Sequence, residues 1–243
     1  MSVIKIAHEQ THAYQRFSKQ YSNLGIEGTY YLAFADIPQL IQNPTCGLLA
    51  LDFGCGAGRS TRFLKSLGWN AIGVDINAEM LTQARQIDPT GTYYLIDALP
   101  LPFADANFNL IFQSFVLLEY SSISQMIETL QECDRLLKND GMAIVITCSE
   151  EYYSHDWLSF QNDFPENHSL QSGEKVRVSI RGTEIVLYDY YWTDRDYRIA
   201  FEQAGFEVIQ AQRPLAQGNE PFTWVSELEH PCWVIYSLKK RTN

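Results

Sequence analysis

Short continuous apolar runs alternate with longer amphipathic stretches through the middle of the chain. Leu48-Leu49-Ala50-Leu51-Asp52 and Ala71-Ile72-Gly73-Val74-Asp75 have the unbroken apolar character of strands buried on both faces. Residues 92–96, closing at Asp97, predict a third strand, residues 108–112 a fourth and residues 142–147 a fifth. Between them lie helical patterns. Residues 60–67 place Phe63, Leu64 and Leu67 on one face and stop at Gly68. Asn77 is a good N-cap for a helix to about Arg85. About residues 124–138 carry Met126, Ile127, Leu130, Cys133, Leu136 and Leu137 at helical spacing, before a turn at Asn139-Asp140-Gly141. Strand and helix in alternation predict an α/β fold with a doubly wound, mostly parallel sheet and crossover helices.

The two flanks break this rhythm. Residues 8–42 set Tyr14, Phe17 and Tyr21, then Tyr30, Tyr31 and Phe34, at helical spacing. They predict two helices broken near Asn23-Leu24-Gly25 and ended by Pro44. Residues 149–192 are rich in aromatics and end in an alternating pattern, 176–180 and 184–190 about Arg181-Gly182, that predicts a hairpin. Thr193-Asp194-Arg195-Asp196 is a capping box for a helix to Ala204, stopped by Gly205. Residues 206–209 and 233–238 are the last strands. No crossover helix separates them, so they should run antiparallel. The expected layout is one domain over 1–243: a helical cover (1–45), a ligand-binding core (46–148), an insertion on the substrate side (149–192), and a C-terminal helix with strands (193–243).

Composition narrows the class. With 243 residues, 46% apolar and 19% charged, the chain is an ordinary globular protein large enough for one α/β domain. The formal net charge is −11, and the acid is uneven: 7 bases and 10 acids in residues 1–120, but 11 and 19 in residues 121–243. The only tight basic run is Lys239-Lys240-Arg241. A nucleic-acid partner needs a positive face, and none is visible, so none is expected. No apolar run approaches the ~20 residues of a membrane span, and the first residues lack the apolar core of a secretion signal. Cys46, Cys55, Cys133, Cys148 and Cys232 are scattered and form no CxxC. They fit free thiols in a reducing cytoplasm. No His, Asp or Glu cluster along the sequence suggests a metal.

The sharpest motif is Leu51-Asp52-Phe53-Gly54-Cys55-Gly56-Ala57-Gly58-Arg59, a strand running through a glycine turn into a helix. Glycines let the backbone approach a ligand with no Cβ in the way, and helix-start N–H groups favour an anion. Asp75 ends the next strand 21 residues after Gly54, a spacing suited to a ribose diol. Two cofactor types fit this frame. A dinucleotide site usually has a further glycine where this chain has Arg59, and Asp52 would set a carboxylate near a pyrophosphate. A cofactor with a cationic head suits Asp52 better.

The segments LDFGCGAGRS, GVDIN, LIDALPLPF, FNLIFQSFVLLEY and RLLKNDGMAIVIT resemble the successive motifs of class I S-adenosylmethionine-dependent methyltransferases of the broad small-molecule, type 11-like group. The resemblance is close over residues 47–148 and looser through YWTDRDYRIAFEQAGFEVI. It implies a seven-stranded Rossmann-like sheet with its last strand antiparallel, S-adenosyl-L-methionine as cofactor and S-adenosyl-L-homocysteine as product. It also implies methyl transfer to an oxygen or nitrogen of a small molecule by in-line displacement. By position in those motifs, Asp52 would lie near the methionine amino group, and Gly54, Gly56 and Gly58 would wrap the methionine and ribose. Asp75 would bind the ribose hydroxyls and Ile76 would pack on adenine. Asp97 and the Ala98 N–H would meet the adenine edge, and Gln113 and Ser114 would flank the methyl group. Tyr14 and Tyr21 sit where relatives have aromatics closing over the cofactor.

The chain departs from the family at two places. Glu119 stands where relatives often have His, and Gln113-Ser114-Phe115 replaces the [ND]-P-P-[YF] of many enzymes that methylate amide or nucleobase nitrogen. If a general base is needed, the candidates are Glu119, after the fourth strand, and His155, in the aromatic segment after the fifth. Asp189-Tyr190-Tyr191-Trp192 is a candidate wall for the acceptor. Three other readings stay open at this level: a nicotinamide-dependent oxidoreductase, a non-catalytic S-adenosylmethionine-binding module, and a methyltransferase acting on protein or RNA. Oligomeric state is not legible.

Overall fold

The computed structural model describes residues 4–5, 11–41 and 48–241. The expected helix start at residue 8, the stop at Pro44, the division between residues 45 and 46, and Cys46 lie outside the described residues.

A two-residue strand β1 (Ile4–Lys5) precedes α1 (Thr11–Ser22), α2 (Thr29–Phe34) and α3 (Ile37–Leu40). Three helices stand where the pattern predicts two. The second is interrupted because Pro38, in the first turn of α3, has no N–H to donate to the carbonyl four residues back. The core then follows as β2 (Leu49–Phe53), α4 (Arg59–Ser66), β3 (Asn70–Asp75), α5 (Ala78–Ile87), β4 (Thr92–Leu95), β5 (Ala98–Leu99), β6 (Phe108–Ser114), α6 (Ile123–Leu136) and β7 (Leu137–Cys148). Asn77 caps α5 by accepting from Met80 N, and Ser122 caps α6 by accepting from Gln125 N. The expected turn at 139–141 is absent. Leu137 is wholly buried and pairs with Phe108, so β7 begins as soon as α6 ends. The extra residues are absorbed by a register shift before Met142 pairs with Leu110.

The last elements are β8 (Phe160–Gln161), β9 (Lys175–Ile180), β10 (Val186–Tyr190), α7 (Asp194–Gln203), β11 (Phe206–Gln212) and β12 (Trp233–Lys240). The capping box at Thr193 is formed in both directions. The expected hairpin is β9–β10, with β8 added on its free edge.

The main sheet has the order β11-β12-β7-β6-β2-β3-β4. The five core strands are parallel, and β12 runs antiparallel to both of its neighbours. Alternation along each strand divides the core into two layers. Phe112, Ile144 and Ile146 pack with Phe34, Leu64, Trp157 and Trp233, while Ile111, Ala143 and Val145 face Met126, Leu130, Phe201 and Tyr236. The chain leaves β2 towards β3 on one side, and β6 lies on the other. The crevice at the carboxyl ends of β2 and β6 is therefore a topological switch point, where open α/β sheets bind ligands.

The N-terminal helices are held by the far end of the chain. Thr29 Oγ1 donates to Glu227 Oε1 at 2.6 Å, and Trp233 Nε1 donates to Thr29 O at 2.8 Å. Glu227 is fully buried and also accepts from the N–H groups of Leu158, Val225 and Ser226. A buried carboxylate stays tolerable only when its oxygens are hydrogen-bonded in this way.

Candidate active site

At the switch point β2 runs into the glycine turn. Gly54 and Cys55 donate their N–H groups to Val74 O at 2.8 and 3.0 Å, which pins the turn to β3. Gly54 has φ +76°, and a Cβ there would lie 2.4 Å from Val116 Cγ2, so this position accepts no side chain without rearrangement. Asp75 closes the turn from the neighbouring strand. Its Oδ2 accepts from Gly56 N at 2.7 Å and its Oδ1 from Asn77 N at 2.8 Å. Both bonds orient the carboxylate before any ligand arrives.

Asp52, two residues before the turn, is fully buried. Its Oδ2 accepts from Ser60 Oγ at 2.7 Å and Thr61 Oγ1 at 2.5 Å, while Oδ1 has no hydrogen-bond partner. Burial pushes its pKa up to about 6, against the pull of the two hydroxyls. Asp52 thus clamps the end of β2 to the first turn of α4.

Above the turn is a cavity, part of it open to solvent. Gly54, Gly56 and Arg59 form its base. Asp75, Ile76, Met80 and Ile96 line one side, Ser114, Phe115, Val116, Glu119 and Tyr120 the other, and Tyr14, Tyr21 and Leu24 its cover. The cover is carried by α1, which lies against α5.

Phe115 shapes the second side. It takes φ +61°, a left-handed conformation unusual for a bulky residue and of the kind that collects at functional sites. Its N–H still donates to Ile146 O at 2.8 Å, and its ring packs on Trp233 at 4.8 Å. The bend leads into the single turn Leu117–Glu119, which brings Glu119 back over the cavity. There Tyr14 donates its hydroxyl to Glu119 Oε1 at 2.5 Å. Burial first, and the Glu119 charge second, push the Tyr14 phenol well above its ordinary value, so it remains a donor. Tyr21 meets Tyr14 edge-on at 5.4 Å. The Arg59 guanidinium stacks on Tyr30 at 4.0 Å and donates to Gly25 O at 3.3 Å.

Of the residues singled out from the sequence, Tyr14, Tyr21, Gly54, Gly56, Asp75, Ile76, Ser114 and Glu119 line this one cavity. Gly58 ends the turn as the N-cap of α4. Asp52 lies behind the turn, and Gln113 is buried in the sheet with no hydrogen bond from its amide. Asp97 is exposed one position after Ile96, and Ala98 belongs to β5, where it pairs with Lys5. His155 is elsewhere, its ring 4.0 Å from that of His230. Asp189 is buried against the Tyr153 hydroxyl, and Tyr190 and Trp192 sit in the core. Arg59, Met80, Ile96, Phe115 and Tyr120 join the lining without having been chosen. Ile96 was within reach, since it immediately precedes Asp97. The left-handed turn at Phe115 has no signature in the sequence.

A family model described as a methyltransferase domain matches residues 51–145. The chain is 27% identical over 168 residues to N-demethylindolmycin N-methyltransferase of Streptomyces griseus, covering 67% of this chain and 70% of that one. It is 28% identical over 101 residues to malonyl-[acyl-carrier protein] O-methyltransferase of Enterobacter lignolyticus, 42% of this chain and 39% of that one, so it spans about two fifths of that relative. The S-adenosylmethionine-dependent methyltransferase of Mesorhizobium loti has a similar structure, with a TM-score of 0.61 at 18% identity, covering 86% of this chain and 98% of that one.

Proposed function

We propose, from the premise that this chain belongs to the class I S-adenosylmethionine-dependent methyltransferases, that its acceptor is a small, partly apolar molecule methylated on oxygen or nitrogen. The observation that carries this reading is the part-buried Glu119–Tyr14 pair, on the cavity that the glycine turn also lines and that α1 covers. A macromolecular acceptor calls for an open cleft, whereas here aromatic side chains of α1 form a cover. The excess acid of residues 121–243 suits a neutral or cationic acceptor and opposes a polyanionic one.

The residues present fit the cofactor. The backbone of Gly54 and Gly56 is bare towards the cavity, Asp75 is fixed at its edge, and Ile76, Met80 and Ile96 offer apolar surface for a base. Bound there, S-adenosylmethionine supplies a methyl group already activated on a sulfonium centre. The protein's share is alignment, exclusion of water and, for a weakly acidic acceptor, removal of a proton. In this reading Asp75 accepts from the ribose hydroxyls. Glu119 takes the acceptor's proton, while Tyr14 holds the carboxylate in place through Oε1. Tyr21 and Leu24 keep water from the reacting atoms.

The buried free thiols of Cys55, Cys133, Cys148 and Cys232 support a reducing, cytoplasmic setting. Among the described residues no helix is long and apolar enough to cross a membrane.

Release of S-adenosylhomocysteine, measured over a panel of small phenols, hydroxy acids and amines beside tRNA and acyl-carrier-protein substrates, tests the proposal. Turnover of a small acceptor is expected. Glu119→Gln should lower kcat by about 100-fold, the scale of a lost general base, with S-adenosylhomocysteine affinity retained. Turnover confined to macromolecules would overturn the reading.

A further inference from the structure

Outside the cavity, two loops bring together three side chains that can hold a metal. Glu151 lies in the turn Glu150–Ser154 that follows β7, and His155 stands at its end. His230 comes from the loop before β12, 79 positions after Glu151. The candidate ligand atoms of the three residues all lie within 4.8 Å of one another. His230 Nδ1 is 2.6 Å from Glu151 Oε2, and the two imidazole rings stack at 4.0 Å with 29° between their planes.

The surroundings favour ligation. His155 Nδ1 lies 3.1 Å from Glu151 O. A proton on Nδ1 would satisfy that carbonyl, with Ser154 Oγ at 3.2 Å as a second neighbour, and would leave the lone pair on Nε2. A backbone carbonyl fixing the tautomer in this way is the usual support of a metal-binding histidine. The His230 and Glu151 side chains keep 35% and 46% of their exposure, so an ion can reach them. Two imidazoles and one carboxylate form a borderline donor set, suited to Zn²⁺ rather than Mg²⁺ or Ca²⁺.

We propose that Glu151, His155 and His230 form a Zn²⁺-class site that fastens the segment after β7 to the loop before β12. The two segments already meet: Ser149 N donates to Cys232 O at 3.0 Å, and the Ser149 hydroxyl donates to Pro231 O. The same loop carries Glu227, which holds Thr29 at the start of α2. The cation therefore fixes the anchorage of the N-terminal helices and takes no part in methyl transfer. On binding, the cation takes the place of the hydrogen bond between His230 Nδ1 and Glu151 Oε2, and an imidazole that ligates through Nδ1 keeps its ring proton on Nε2.

The test uses untagged, reduced, EDTA-treated full chain carrying Cys46→Ser, since Cys46 lies outside the described residues. Titration calorimetry with ZnCl2 should give one ion per chain. Zn²⁺ should raise the Tm, and Mg²⁺ should not. His230→Ala and His155→Ala should each weaken Zn²⁺ binding at least about tenfold and abolish the Tm rise. Their metal-free Tm and S-adenosylhomocysteine affinity should match the parent, which shows that they fold. If His230→Ala does not fold, His155→Ala decides alone. No binding by the parent, a preference for Mg²⁺, or unchanged Zn²⁺ affinity in a folded histidine variant overturns the proposal.

Discussion

Asp75→Ala separates two roles of one carboxylate. In the free protein Asp75 accepts from Gly56 N and Asn77 N. Those bonds exist with or without ligand, so to first order they cancel in a binding equilibrium. What remains, under the proposed binding mode, is the pair of bonds that Asp75 would accept from the ribose hydroxyls. Hydrogen bonds to a charged acceptor contribute about 1.5–3 kcal/mol each, so the loss should be about 3 kcal/mol. That is about 150-fold in the Kd of S-adenosylhomocysteine. Calorimetry should be run on parent and variant with S-adenosylhomocysteine and with its 2′-deoxy analogue. The parent should lose about tenfold when the hydroxyl is removed, the value of one such bond. The variant should not tell the two ligands apart. A variant that binds more weakly yet still discriminates as the parent does would place the damage in the glycine turn. The ribose assignment would then be wrong. Affinity within about threefold of the parent would refute it outright, because a single lost bond exceeds that.

Gly54→Ala should cost about 2–4 kcal/mol in urea melts, combining left-handed strain with the 2.4 Å approach to Val116, and Val116→Ala should restore part of it. Asp52 has a folded pKa of about 6 against 3.8 for the ordinary carboxyl, so its contribution is complete below about pH 4 and is lost as pH rises through 6. About two units correspond to about 3 kcal/mol. Asp52→Asn should therefore flatten stability between pH 4 and 7, and a profile parallel to the parent's would count against the raised pKa. Tyr14→Phe keeps the ring but removes the bond to Glu119. It should lower kcat about tenfold while S-adenosylhomocysteine affinity stays within about threefold, and a loss confined to affinity would mark Tyr14 as cover alone.

Legibility followed the range of the physics involved. The alternation from β2 to β7 is written in local periodicity and matches the sheet. The boundary between α6 and β7 is not, because burial of Leu137 against Phe108 overrides the helical pattern. The strands β5 and β8, two residues each, carry too little pattern to be read. At the site, the glycine turn and Asp75 sit in one linear motif whose spacing states the geometry. The pairing of Tyr14 with Glu119 spans 105 positions and depends on the turn at Phe115, which no residue type announces. The cluster of Glu151, His155 and His230 is silent for the same reason.

The bonds from Thr29 to Glu227 and Trp233 set a schedule for biosynthesis. Their sequence separations of 198 and 204 are among the longest loops this chain can close, and loop closure is the slow step in forming such contacts. A chain emerging from the ribosome meets β2 to β7 first, and these can pair while synthesis continues. Phe34 of α2 can then seat on Phe63 and Phe112, but the bonds from Thr29 to Glu227 and Trp233 wait until residues 227–233 are free. The anchorage at the start of α2 is thus completed after β2 to β7 have formed. Slowed translation before residues 227–233 would lengthen the time that Tyr30 waits for its stacking partner Trp233.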